Sequence, residues 1–209
     1  MPHSSLVTWN VEMNLWKQGY AHVAGIDEAG RGALAGPVVA AAVILPVGVT
    51  IPNVDDSKRL TREERDELFQ TIIGAVIGVG VGYVEASVID RVNIRQGTLL
   101  AMQAAIRNLT CGPDFLLIDG RDGVSTTQPQ RLFVRGDQTV GSIASASIIA
   151  KVSRDRFMEA LDQRFQGYGL AQHKGYGTAA HLRALQQLGP SLIHRVTFRG
   201  VVQTASRHE

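Results

Sequence analysis

The chain has 209 residues, 44% of them hydrophobic, with a single cysteine, Cys111, and a mean hydropathy of +0.03. This describes one domain with a sizeable core and excludes a disordered chain, a disulfide framework and a thiolate metal cluster. The formal net charge is +2, and the longest apolar run, residues 38–45, falls far short of the roughly 18 residues of a membrane span.

The first fourteen residues lack the basic and apolar regions of a signal peptide, so an intracellular, cytoplasmic protein is expected. Residues 23–27 (VAGID) and 38–45 (VVAAAVIL) read as strands joined by the turn EAGRGALAGP, a connection short enough to favour an antiparallel pair. Thr61 and Glu64 form a capping-box signature for a helix to about Ala75. Residues 78–85 alternate like a strand. Asn93 is placed to cap a helix over 94–109, in which Leu99, Met102, Ala105, Ile106 and Leu109 recur at helical spacing. Residues 115–119 (FLLID) and 132–135 read as short strands, and 142–165 as a long helix. In that helix Ser145 and Ser147 read as small residues that permit close packing on a sheet. Thr178 caps a last helix to about Leu188, before Gly189 and Pro190. Early antiparallel pairing followed by strand–helix alternation predicts an α/β fold, a mixed β-sheet flanked by α-helices.

Carboxylates are costly to bury beside apolar strands unless something pairs with them. Yet VAGID ends in Asp27 and is followed by Glu28, FLLID ends in Asp119, and Asp137 follows the apolar stretch LFVRG. Acids at these positions also arise as ordinary turn or capping residues. Four of them at three strand ends would repel one another unless cations neutralised them, and hard oxygen-seeking Mg2+ or Mn2+ suits such a set. No zinc spacing competes, since His173 and His181 are eight residues apart.

Gly30, Arg31 and Gly32, followed by Gly36 and Pro37, form a loop whose backbone is able to approach a ligand closely. A dinucleotide fingerprint would need a helix at these glycines, whereas a strand follows. A phosphodiester or sugar edge fits the loop better.

Charge divides unevenly. Residues 1–120 hold nine Lys/Arg against thirteen Asp/Glu, and residues 121–209 hold twelve against six, so an acidic half sits beside a basic one. Such polarity suits a metal site facing a polyanion, or is uneven surface decoration. Three of only four lysines (Lys58, Lys151 and Lys174) lie in the motifs quoted next.

The segment GIDEAGRGALAGPV at 25–38 resembles the opening motif of the bacterial ribonuclease HII family. DSK at 56–58, LLIDG at 116–120, GD at 136–137, SIASASIIAKVSRDR at 142–156, HKGYGT at 173–178 and IHRVTF at 193–198 follow in order. The resemblance spans roughly residues 20–200. It implies a ribonuclease H-like catalytic domain over 20–200, preceded by an extension at 1–19 and followed by a short, frayed tail at 201–209.

What it implies for function is an endoribonuclease that hydrolyses the RNA strand of RNA–DNA hybrids and cuts 5′ to single ribonucleotides embedded in duplex DNA. Two-metal-ion catalysis with Mn2+ or Mg2+ would leave 5′-phosphate and 3′-hydroxyl ends. Asp27, Glu28, Asp119 and Asp137 match the family's metal-binding carboxylates, with Asp27 bridging both ions. Adjacent strand residues point to opposite faces, so Asp27 and Glu28 are expected to share a site only if the strand ends or kinks at Glu28. Gly30, Arg31 and Gly32 match the loop that senses the ribose 2′-hydroxyl. Tyr176 matches the tyrosine that packs on the sugar after the ribonucleotide. Lys58, Lys151, His173 and Lys174 are candidate phosphate contacts. Asp155 is expected to be an arginine partner or a helix-surface acid, and a fallback metal ligand should Asp137 point away. Nucleic acid is the expected partner, no membrane is expected, and the chain is expected to act as a monomer. Two departures stand out: Ala33 replaces a proline of the family pattern, and residues 138–141 lack the usual Ser/Lys-rich stretch. Trp9 and Trp16 lie outside the resemblance and receive no role.

Overall fold

The computed structural model describes residues 7–201. Its elements in chain order are α1 (Asn10–Lys17), β1 (Val23–Ala29), β2 (Val38–Ile44), α2 (Arg62–Ala75), β3 (Gly78–Val84), α3 (Ala86–Arg107), β4 (Phe115–Asp119), β5 (Gln130–Phe133), a 3-10 turn at Gly136–Gln138, α4 (Gly141–Arg164), α5 (Leu170–His173) and α6 (Ala179–Leu188). The five strands form one sheet in the order β3-β2-β1-β4-β5. The β1–β2 and β2–β3 pairs are antiparallel, whereas β1–β4 and β4–β5 are parallel, as the mixed-sheet reading anticipates.

Helices cover both faces because both faces of the strands are apolar. Val38, Ala40, Ala42 and Ile44 of β2 pack with Ile89, Ala101, Met102 and Ala105 of α3, whereas Ala41 and Val43 pack with Ala144, Ala146 and Ile148 of α4. Strand glycines make this closeness possible. A Cβ on Gly25 of β1 would overlap the backbone of Ser142 at the start of α4, and one on Gly82 of β3 would overlap the Ala101 carbonyl of α3. The first contact matters for function, since it presses α4 directly onto the strand that carries Asp27.

Local signals account for three helix starts. Thr61 and Glu64 complete the capping box of α2, and Thr178 Oγ1 accepts the His181 N–H at the start of α6. Asn93 caps as expected, its Oδ1 accepting the Gln96 N–H. A short helical segment also precedes it, so α3 is two helices meeting at Asn93, whose φ is +68°. The strand expected over 132–135 instead spans Gln130–Phe133, and Arg135 turns the chain at φ +59°.

Helix α1 lies in the N-terminal extension. Its Leu15 packs with Val23, Leu117, Val140 and Ile143, joined by the Trp16 ring. The Trp9 ring lies where a side chain on Gly141 would stand, and Glu12 Oε1 accepts the Ser142 N–H at 2.7 Å. Trp9, Glu12 and Trp16 therefore seat α1 on the sheet and on the start of α4. Of the tail expected at 201–209, Val201 is buried beside Tyr168, Leu170 and Leu185, and 202–209 lie outside the described residues. No helix among the described residues is long and apolar enough to cross a membrane.

Candidate active site

Three strand ends deliver the acids to one place. β1, β4 and β5 are neighbours, so Asp27 of β1, Asp119 at the end of β4 and the turn after β5 that holds Asp137 meet at one edge of the sheet. Ligand oxygens of Asp27, Glu28 and Asp119 all lie within 4.8 Å of one another. The requirement that β1 end or kink at Glu28 is not met: β1 stays paired with β2 through Glu28↔Ala40 and Ala29↔Val39. On the other side, however, pairing with β4 stops at Ile26↔Ile118. Side chains from both faces of β1 can thus turn around this open edge toward Asp119.

Burial and mutual repulsion leave these acids short of neutralising charge. Asp27 is 3% exposed, and its carboxyl titrates well above the usual range because it is desolvated and faces Glu28, Asp119 and Asp137. Burial also raises Glu28, against the pull of Arg31 3.3 Å away. Asp119 is likewise raised by burial, although its Oδ1 accepts the Gly136 N–H at 2.6 Å. A crowded, desolvated carboxylate set of this kind fits a hard divalent cation.

Asp137 is buried, and its charge raises Asp27 and Asp119, but it lies outside the group of three acids whose oxygens fall within 4.8 Å of one another. Lys58 Nζ lies 3.2 Å from Asp137 Oδ2 and 3.6 Å from Asp56 Oδ1. Burial opposes the Lys58 charge, yet Asp137 and Asp56 outweigh it and raise its pKa. Gln138, within the divergent stretch, donates to Asp56 Oδ2 at 3.1 Å and so braces the same loop.

A groove of about 610 Å3 joins Asp27, Glu28 and Asp119 to Gly30, Arg31, Gly32, Lys58, Arg65, Lys151 and Tyr176. The two loop glycines differ in kind. Gly30 has φ +91°, and a Cβ there would overlap the Arg154 guanidinium, whereas a Cβ on Gly32 would meet no atom within 4 Å. The first glycine is needed by the protein and the second leaves room for a ligand. Ala33 is buried, and its N–H donates to the Gly30 carbonyl at 3.3 Å, a bond that proline would forfeit.

Two fully buried arginines hold this loop from beneath. Arg154 donates to the Pro37 and Ala35 carbonyls, and Arg195 to those of Gly36 and Arg31. Burial and the nearby Arg154 pull Arg195 down to about 9, which leaves it charged at neutral pH. Neither was singled out from the sequence; each looked like an ordinary basic residue inside its motif. Ser147 does more than pack. It is buried, its hydroxyl pulls the Asp27 carboxyl down against the repulsion of the other acids, and it lies 2.9 Å from Ser57 Oγ. Ser145 is buried and donates to the Gly141 carbonyl within α4.

The other candidates separate. Tyr176 sits with Arg154 5.3 Å and Lys151 5.8 Å from its ring centroid. Lys151 also pairs with Asp155 at 2.8 Å, making that acid a lysine partner rather than an arginine partner. Lys174 is bound to Glu159 at 2.9 Å and lines an adjoining groove of about 680 Å3 with Arg62, Arg65, Lys151 and Arg156. His173 does not reach the acids' groove as a free side chain, since both its ring nitrogens are bonded, to the Tyr168 carbonyl and the Gly175 N–H.

The chain resembles known proteins over most of its length. A family model described as Ribonuclease HII matches residues 24–201. Ribonuclease HII of Geobacter sulfurreducens is 56% identical over 193 residues, 92% of this chain and 89% of that protein. The Geobacter metallireducens protein of the same name is 55% identical over 92% of this chain and 91% of its own length. Among solved structures, ribonuclease H2 from Pyrococcus horikoshii superposes with a TM-score of 0.71 at 25% identity, covering 87% of this chain and 96% of that one. With the mixed sheet, the clustered acids and a match spanning 178 residues that include them, the chain belongs to the ribonuclease HII family.

Proposed function

We propose that this chain hydrolyses the RNA strand of RNA–DNA hybrids and cuts 5′ to single ribonucleotides in duplex DNA, with two Mn2+ or Mg2+ ions held by Asp27, Glu28, Asp119 and Asp137. The observation that carries the reading is the meeting of Asp27, Glu28 and Asp119 oxygens within 4.8 Å, in the same groove as the glycine loop and Tyr176. When bound, the ions supply an activated water for in-line attack on phosphorus and stabilise the leaving 3′ oxygen.

The chain's own groups do the rest. Ser147 orients Asp27, and the Gly136 N–H orients Asp119. Lys58 neutralises Asp137 in the free protein and stands exposed at the groove, where its ammonium would meet a substrate phosphate. The backbone at Gly30, Arg31 and Gly32 reads the 2′-hydroxyl, the only added handle RNA offers over DNA, and Gly32 keeps the approach clear. Tyr176 packs on the sugar after the ribonucleotide, with Lys151 at the neighbouring phosphate. Lys174 contacts backbone further along, in the adjoining groove. The reading places the catalytic unit at 20–200, acting as a cytoplasmic monomer.

The test is incubation of a duplex holding one ribonucleotide with Mg2+ or Mn2+, comparing the unaltered chain with Asp27→Asn. Metal-dependent cutting that the variant loses is expected. Binding of the duplex without cutting would replace the enzyme by a hybrid-binding protein.

A further inference from the structure

Behind the Tyr176 loop lie three histidines that the acid site does not use. His181 of α6 and His194 are buried, and His173 stacks on His181 with ring centroids 4.3 Å apart and planes at 17°. His181 Nδ1 lies 3.0 Å from the Tyr176 carbonyl oxygen, and its Nε2 lies 3.1 Å from His194 Nε2. His194 Nδ1 in turn lies 2.9 Å from both the N and the Oγ of Ser191. Tyr168 closes the cluster, its ring centroid 4.8 Å from that of His194.

Hydrogen-bond chemistry leaves one arrangement of protons. A carbonyl only accepts, so His181 Nδ1 must carry hydrogen, and a neutral imidazole then has a bare Nε2. That nitrogen accepts, so His194 donates from Nε2–H, and its bare Nδ1 accepts from the Ser191 backbone N–H. The same logic applies to His173: its Nε2–H donates to the Tyr168 carbonyl at 2.8 Å, and its Nδ1 accepts the Gly175 N–H at 3.2 Å. The chain therefore runs one way, from Ser191 through His194 and His181 to Tyr176. With His173 it ties down the Gly175 N–H and the Tyr176 C=O, the two backbone groups that bracket the start of Tyr176.

We infer that His181 and His194 are positioning residues: a neutral, tautomer-locked relay that fixes the backbone of Tyr176 and, through it, the placement of the ring in the substrate groove. The functional half of this inference rests on the reading of Tyr176 given above. Protonating either ring would set two N–H groups face to face and break the relay. The groups these rings meet are one another, Tyr168, Gly175, Tyr176 and Ser191, and among the described residues no carboxylate is bonded to any of the three.

Imidazole 15N NMR of histidine-labelled protein at pH 7.5 tests the relay itself. Neutral Nδ1–H for His181 with neutral Nε2–H for His194 and His173 is expected; any other tautomer pattern, or imidazolium at either relay ring, would overturn it. Two variants test its action through Tyr176. His194→Leu removes the donor toward His181, whereas His194→Gln offers an amide N–H in its place. The Tyr176 carbonyl 13C resonance should shift in the first variant and hold in the second. Cleavage beside a single ribonucleotide should fall about tenfold in His194→Leu and recover to within about twofold in His194→Gln. Added to Tyr176→Ala, His194→Leu should cost less than a further twofold. Losses that multiply, or a carbonyl shift equal in both variants, would reduce the cluster to support of the fold. If Tyr176→Ala alone left cleavage intact, the reading of Tyr176 would fall, and the tautomer pattern and carbonyl shift would still decide the relay.

Discussion

The ammonium of Lys58 lies 3.2 Å from Asp137 Oδ2, so the candidate metal site carries a cation of the protein's own. Lys58 is 74% exposed and its partner 7% exposed. Screening therefore limits what the pair contributes to about 1 kcal/mol or less. Lys58→Met should lower the melting temperature in EDTA by a few degrees. Excess Mn2+ should remove most of that difference, because the ion then supplies the missing charge. Calorimetry with and without metal measures both effects, and a deficit that persists in Mn2+ would mean that Lys58 serves the fold rather than the site.

Asp27→Asn should act in the opposite sense. The carboxyl is desolvated and surrounded by Glu28, Asp119 and Asp137, so a neutral side chain of the same shape relieves repulsion in the metal-free protein. A gain of about 1–2 kcal/mol is expected in EDTA, together with loss of the stabilisation that Mn2+ gives the unaltered chain. A lower melting temperature in EDTA would contradict the repulsion argument.

The two loop glycines separate fold from function. Gly30→Ala meets both a positive φ and the Arg154 side chain, and about 2 kcal/mol or more of destabilisation is expected. Gly32→Ala adds a methyl in open space; stability should stay within about 0.5 kcal/mol while cleavage falls at least tenfold. Equal activity of Gly32→Ala and the unaltered chain would remove the glycine loop from substrate recognition.

Much of this site could be read along the chain because its cues are local. An acid that closes an apolar run is visible in five residues, as are the Thr61–Glu64 box and the Asn93 cap. What escaped depends on packing between distant segments. Arg154 and Arg195 carry no local cue, because their role comes from guanidiniums that lie beneath the glycine loop and bond its carbonyls. Ser147 reads as a small packing residue, and its hydroxyl acts on Asp27 because Gly25 lets α4 touch β1. The expected kink at Glu28 failed for a related reason: strand alternation is a local rule, whereas the open edge beyond Ile26 is set by where the neighbouring β4 ends.

Acid should weaken the fold through His194. Burial, then the neighbouring His181, lowers its pKa from 6.5 to about 4. The unfolded chain therefore binds the extra proton first. The stability this neutral ring contributes is complete above pH 6.5 and is lost as pH falls toward 4, up to about 3 kcal/mol. The raised pKa values of Asp27, Glu28 and Asp119 work the other way in metal-free protein, adding stability as pH falls. The difference between the unaltered chain and His194→Gln isolates the histidine: melting curves from pH 7 to 4 should converge as pH drops. Parallel curves would contradict a neutral, buried His194.

The central claim is that four strand-end acids and the glycine loop direct hydrolysis to the 5′ side of a ribonucleotide. Its most direct test maps the nick in a duplex carrying one ribonucleotide, end-labelled on that strand, with Mn2+ or Mg2+ present. A single nick 5′ to the ribonucleotide, with a 3′-hydroxyl on the upstream piece and a 5′-phosphate on the ribonucleotide, is the expected result. A nick on its 3′ side would contradict the account, and a 2′,3′-cyclic phosphate end there would mean that the 2′-hydroxyl attacks rather than being read.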